Sequence, residues 1–107
     1  MTDIYTSVNT LKNTRKQIKK WMKPEKRATM FPLNLFGGRS RIEYQPLGVV
    51  GIIAPWNFPV NMVFAPLAGV LAAGNRAMIK PSEFTPATSA LLAEMIAEAS
   101  DPKEVTL

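Results

Sequence analysis

Residues 47–59 read Leu47-Gly48-Val49-Val50-Gly51-Ile52-Ile53-Ala54-Pro55-Trp56-Asn57-Phe58-Pro59. The first eight form a continuous, mostly β-branched apolar run between Pro46 and Pro55, without the alternation of a half-solvated strand. Such a run predicts a strand buried on both faces, as in a parallel sheet. From Val60 to Ala73 the chain is apolar on nearly every side, and Gly74-Asn75 then supply the positive-φ stop of a helix end. Pro66 lies inside this predicted helix and removes one backbone hydrogen bond, which predicts a kink near it.

Reading on, Arg76-Ala77-Met78-Ile79-Lys80 is a second short strand stopped by Pro81. Thr85-Pro86 is an N-cap and first-turn signature. It opens a helix that buries Leu91, Leu92, Met95 and Ile96 and ends near Ser100, before Asp101-Pro102. Val105-Thr106-Leu107 begins a third strand. Residues 47–107 therefore predict an α/β unit of order βαβαβ, a partial doubly wound parallel sheet with right-handed crossovers. Two strands and the start of a third make a poor complete sheet, so the chain is expected to be part of a longer protein.

Upstream, Ile4, Val8, Leu11, Ile18 and Met22 recur at the spacing of an amphipathic helix, which Pro24 ends. This helical region, residues 1–30, is strongly basic. Residues 1–27 alone hold eight of the thirteen basic side chains against Asp3 and Glu25, while residues 28–107 hold five basic and six acidic ones. The lysines read as the solvated face of a docking helix. Nucleic-acid or anionic-membrane binding is the competing reading, but no aromatic side chains are interleaved to stack on bases. The basic stretch leads into Pro24-Glu25 rather than an apolar run, so it does not resemble a signal peptide, and a cytoplasmic location is the default. Residues 31–46 predict a β-hairpin of two short arms around Gly37-Gly38, since paired glycines supply the positive φ of a tight turn.

The 32 residues from Tyr44 to Asn75 carry no charge, long enough to suggest a transmembrane span. Pro46, Pro55, Pro59 and Pro66, with Asn57 and Asn61, oppose that reading, because lipid offers no partner to freed carbonyls and amides. Cysteine and histidine are both absent. A disulfide framework, a thiolate metal site, a cysteine nucleophile and a histidine base are thus excluded within these residues.

In open α/β sheets ligands bind outside the carboxyl ends of the strands. Pro55-Trp56-Asn57-Phe58-Pro59 follows the first strand and Lys80-Pro81-Ser82-Glu83 the second, so both clusters are expected on one rim. Together they offer an amide donor, a flat aromatic, an ammonium and a carboxylate. Asn57 could donate to a developing oxyanion, and Lys80 with Glu83 could hydrogen-bond a ribose diol. The plain alternatives are that Asn57 caps a helix and that Lys80 and Glu83 are loop charges. There is no G-x-G-x-x-G, since Gly48-Val49-Val50-Gly51 has the wrong spacing and lies at the strand's start.

The joint occurrence of P-W-N-F-P, A-A-G-N and K-P-S-E-x-T-P within residues 46–92 resembles the N-terminal part of the cofactor domain of the aldehyde dehydrogenase superfamily. The run R-S-R-I-E-Y-Q-P-L-G-V-V-G-I-I-A-P-W-N-F-P-V looks most like its bacterial coniferyl aldehyde dehydrogenase group. The resemblance covers nearly the whole chain and implies an NAD(P)-dependent oxidation of an aldehyde substrate, with NAD or NADP as cofactor and a homo-oligomer as the assembly. It implies no nucleic-acid or membrane partner. It assigns Asn57 to the oxyanion hole, and Ile53, Ala54, Pro55 and Trp56 to the cofactor path. It further places Lys80 at the adenosine ribose, with Ser82 and Glu83 beside it, Glu83 bearing on the choice between NAD and NADP. Residues 31–46 correspond to a bridging, oligomerising region and 47–107 to part of the NAD(P)-binding domain. The nucleophilic cysteine and general-base glutamate of the superfamily have no counterpart in these residues, so the chain alone is expected to be inactive. A truncated dinucleotide-binding or self-associating module is the alternative.

Overall fold

The structure, a computed structural model, describes residues 1–107. Three strands, β3 (Val49–Ile53), β4 (Arg76–Lys80) and β5 (Val105–Thr106), form a parallel sheet in the order β3-β4-β5. Helix α2 (Asn61–Ala72) crosses from β3 to β4, and α3 (Pro86–Ala99) from β4 to β5. The register pairs Val49 with Arg76 and Ile53 with Lys80, then Ala77 with Val105. The predicted βαβαβ order is therefore present, with Pro55, Gly74-Asn75, Pro81 and Asp101-Pro102 lying between the elements they are expected to separate.

Both crossing helices lie on one face of this sheet. Ile52, Ala54, Ala77, Ile79 and Val105 from the strands share a single buried cluster with Val63 and Leu67 of α2 and Leu92 and Ile96 of α3. Strand order advances in one direction only, and successive right-handed crossovers in one direction put their helices on the same side. The sheet is thus singly covered within these residues, which corrects the expectation of a strand buried on both faces. Val49, Ile53 and Met78, on the opposite face, are exposed by 60%, 81% and 58%. For the same reason only Leu92 and Ile96 of the four predicted α3 core residues are buried, while Leu91 and Met95 point away from the sheet.

Helix α2 runs unbroken through Pro66 and ends in a Schellman motif. The Asn75 N–H donates to the Val70 carbonyl at 3.0 Å and the Gly74 N–H to Leu71 at 2.9 Å, with Gly74 at φ +78°. The Asn75 side chain then accepts from the Gly48 N–H at 2.9 Å, tying the end of α2 to the start of β3. The A-A-G-N stretch is thereby a mechanical link as well as a helix stop.

Helix α1 (Thr2–Trp21) ends just before Pro24, as predicted, but it docks by a different face. Ile4, Val8, Leu11 and Met22 are exposed, and the buried or half-buried line is Asp3, Ser7, Thr10, Thr14, Gln17 and Ile18. That line has helical spacing too, but all of it except Ile18 is polar, and its first two members, Asp3 and Ser7, hydrogen-bond the start of α2. The lysine-rich face is solvated.

The predicted hairpin is also different. Its two strands are β1 (Glu25–Arg27) and β2 (Ser40–Ile42), antiparallel, with Lys26 opposite Arg41. Residues 33–36 form a 3-10 turn rather than a strand, and Gly37, at φ +79°, closes that turn. Gly38 is required for space, because a Cβ there would come within 2.7 Å of the Leu33 carbonyl oxygen. The glycine pair therefore terminates a helical turn inside a long connection and does not form a two-residue hairpin loop.

Candidate functional site

The carboxyl ends of β3 and β4 meet directly. The Ala54 N–H donates to the Lys80 carbonyl at 3.0 Å, one step beyond the Ile53–Lys80 pair. Residues 55–59 leave from one strand and 81–85 from the other at adjacent points, so the two sequence clusters do share a rim. Ile53 and Lys80 are register partners with side chains on the bare face of the sheet, whereas Ala54 is buried and offers the rim only backbone. Trp56 is 64% exposed beside it.

Asn57 lies on the corner between β3 and α2 and is exposed. It does not cap α2, whose N-cap is Val60. Phe58, next in the chain, holds φ at +53°, a left-handed conformation that costs a bulky residue on the order of 1–3 kcal/mol and persists only where its surroundings enforce it. Pro55 and Pro59 restrict the backbone on either side. The corner is thus built to hold one conformation, with the Asn57 amide at its outer edge.

What satisfies the start of α2 is Asp3. Its carboxylate accepts from the Asn61 N–H at 2.7 Å and from the Val60 N–H at 3.1 Å. The Met62 N–H donates to the Phe58 carbonyl at 2.9 Å, and the Val63 and Phe64 N–H groups reach Val60. Every amide in the first turn is therefore paired. Ser7 braces the same junction, its hydroxyl donating to the Asp3 carbonyl at 2.7 Å and lying 3.5 Å from Asn61 Oδ1. Sequence reading passed over Asp3, since nothing local connects it to residues 57 and 58 positions away. The available signal was a negative one: Pro59-Val60 gives α2 no capping side chain of its own.

On the second strand's exit, Lys80 Nζ donates to Glu83 Oε2 at 2.8 Å. That hydrogen bond, helped by a backbone hydrogen bond and by the lysine charge, holds the Glu83 carboxyl below its ordinary range. Ser82 is 94% buried and shapes the turn: its Oγ accepts from the Phe84 N–H at 3.2 Å, and its carbonyl accepts from the Thr85 N–H and the Thr85 and Ser89 hydroxyls. Ser82 thus supports the exposed Lys80–Glu83 pair from beneath. An ammonium with protons to spare beside a carboxylate, next to its register partner Ile53, has the donor and acceptor that vicinal hydroxyls of a ribose would need.

A parallel sheet with helices on one face and polar groups collected at two adjacent strand ends defines an α/β fold, a class in which the strand-end rim is the usual place for a ligand. The chain belongs to the aldehyde dehydrogenase family, whose model matches residues 1–107. It is 59% identical over 104 residues to a coniferyl aldehyde dehydrogenase of a Pseudomonas species, covering 97% of this chain and 21% of that protein. A substrate-bound AldH structure from Staphylococcus aureus superposes with a TM-score of 0.86 at 42% identity, covering 94% of this chain and 21% of that one. An NADP-dependent glyceraldehyde-3-phosphate dehydrogenase from Bacillus halodurans, complexed with NADP, gives 0.75 at 25% identity over 97% of this chain and 22% of that one. The chain spans about a fifth of the length of these relatives. No helix is long and apolar enough to cross a membrane.

Proposed function

We propose that residues 1–107 form the first part of the cofactor domain of an NAD(P)-dependent aldehyde dehydrogenase acting on coniferyl aldehyde or a close aryl analogue. The observation that carries this reading is the meeting of the Asn57 corner and the Lys80–Glu83 pair on one rim, in a chain 59% identical to a coniferyl aldehyde dehydrogenase.

In this reading Lys80 donates to, and Glu83 accepts from, the adenosine ribose hydroxyls, while Ile53, Pro55 and Trp56 give the cofactor path an apolar wall. NAD(P), when bound, accepts the hydride. Asn57 donates its side-chain N–H to the oxygen of the aldehyde as a cysteine thiolate adds to the carbonyl carbon and negative charge develops there. As the hydride leaves with its electron pair, the oxyanion collapses to the neutral thioester carbonyl, and negative charge develops on that oxygen again when water attacks the thioester, so one donor serves both steps. The cysteine and the base that activates water come from outside residues 1–107, which contain no cysteine. The enzyme is cytoplasmic and self-associates through residues 31–46.

Titration with NAD and NADP tests the ribose assignment. Binding that weakens in Lys80→Ala and is retained in Lys103→Ala, a distant lysine, is the expected result. Equal binding by both variants would remove Lys80 from the site. Residues 1–107 alone are expected to reduce no NAD(P) in the presence of coniferyl aldehyde, read at the absorbance of the reduced nicotinamide.

A further inference from the structure

We propose that Asp3 is a positioning residue for Asn57: its carboxylate, reaching across from the first turn of α1, fixes the first turn of α2 and thereby the corner that presents the Asn57 amide. The inference rests on the oxyanion reading of Asn57. The corner is held at two ends. On the strand side the Ala54 N–H is bonded to Lys80 at 3.0 Å. On the helix side the Val60 and Asn61 N–H groups are bonded to Asp3 at 3.1 and 2.7 Å. Between those anchors lie two prolines and Phe58 at φ +53°.

The helix-side anchor has no substitute within α2. Val60, the N-cap, has no side-chain oxygen, and the Val60 and Asn61 amides are bonded to Asp3 and not to Asn57. Asp3 also brings a negative charge to the positive end of the α2 dipole. With the carboxylate removed, two amides lose their partners and the first turn frays. The Met62 N–H to Phe58 carbonyl bond at 2.9 Å is then the one helix-side hold on the corner, Phe58 is less firmly kept in its left-handed conformation, and the Asn57 amide shifts with it. An oxyanion donor works only within hydrogen-bond reach of the developing charge, so a displacement of about 1 Å is enough to forfeit much of its effect. Asp3 acts through Asn57 and touches neither substrate nor cofactor. Ser7 Oγ, donating to the Asp3 carbonyl at 2.7 Å, keeps Asp3 itself in place.

A double-mutant cycle in the complete enzyme tests this, with Asp3→Ala, Asn57→Ala and both together, measured with NAD(P) and coniferyl aldehyde. Asp3→Ala is expected to lower kcat by about tenfold to 10²-fold with dinucleotide affinity unchanged, because Lys80 and Glu83 belong to the other strand's exit. In the Asn57→Ala background the same substitution is expected to cost nothing further. Asp3→Asn, which keeps one acceptor oxygen, is expected to recover part of kcat and serves as the probe should the alanine variant fold poorly. Amide hydrogen exchange supplies a readout free of activity: Val60 and Asn61 exchange faster in Asp3→Ala while α3 is unaffected. Losses that add in the double variant, an unchanged kcat in Asp3→Ala, or unchanged exchange at Val60 and Asn61 would each overturn the proposal. A full kcat in Asn57→Ala would instead strike the oxyanion reading, and the positioning role would fall with it.

Discussion

Glu83 and Lys80 illustrate how a charged pair is assembled across a two-residue turn. Pro81 ends β4, buried Ser82 folds the chain back, and the two charged side chains come to 2.8 Å on the solvent side. Being exposed, the pair contributes little to stability, and what the proposed ribose role draws on is donor and acceptor presented together. The Glu83 carboxyl titrates below its ordinary value of 4.5, because its ionised form is the one Lys80 hydrogen-bonds. A depressed folded-state pKa means that the interaction is complete above the unfolded value and is lost as pH falls through the lower, folded one. Dinucleotide affinity should therefore be flat from neutral pH down to the ordinary glutamate range and fall only below it. Glu83→Gln should weaken binding and remove that acid limb in an isothermal titration series. A retained acid limb in Glu83→Gln would assign the titration to another group.

At the scale of elements, the loop-bounding signals of residues 47–107 were readable because each is a local steric fact. Pro46, Pro55, Pro81 and Asp101-Pro102 cannot continue a strand or helix, and Gly74 is needed at φ +78°. Gly74→Ala brings its Cβ only to ordinary contact with Pro46, so the cost is conformational, about 1–2 kcal/mol by chemical denaturation. Leu92→Ala, in the buried cluster, should cost about 2–5 kcal/mol. Leu91→Ala, one residue away and exposed, should be nearly neutral, and equal losses at the two positions would contradict the single-faced packing of α3. What sequence could not supply was pairing at a distance. The partner of β2 is Glu25-Lys26-Arg27, a charged triplet with no strand signature, and the docking face of α1 is polar, so hydrophobic periodicity selected the wrong side of a correctly located helix. Asp3 was hidden for the same reason: its partners are contributed by tertiary structure alone.

Over the whole molecule, only 12 of 107 residues are buried and the radius of gyration is 18.2 Å, against about 13 Å for a compact chain of this size. The bare sheet face, with Val49, Ile53 and Met78, and the outer side of α3, with Leu91 and Met95, leave large apolar side chains in water. Exposed apolar surface on this scale drives association. Residues 1–107 in isolation should therefore sediment as concentration-dependent oligomers, and a single monomeric species at all concentrations would count against that expectation. The proposed chemistry also belongs to this scale, since in that reading Asn57 is the oxyanion donor and the nucleophile it serves is contributed from outside residues 1–107, which hold no cysteine. The direct measurement is the turnover of the complete enzyme carrying Asn57→Ala, with dinucleotide affinity measured alongside. The proposed role predicts a fall in kcat of about 10²–10³-fold, or roughly 2.7–4 kcal/mol of barrier, with NAD(P) binding intact. Unchanged turnover would contradict it.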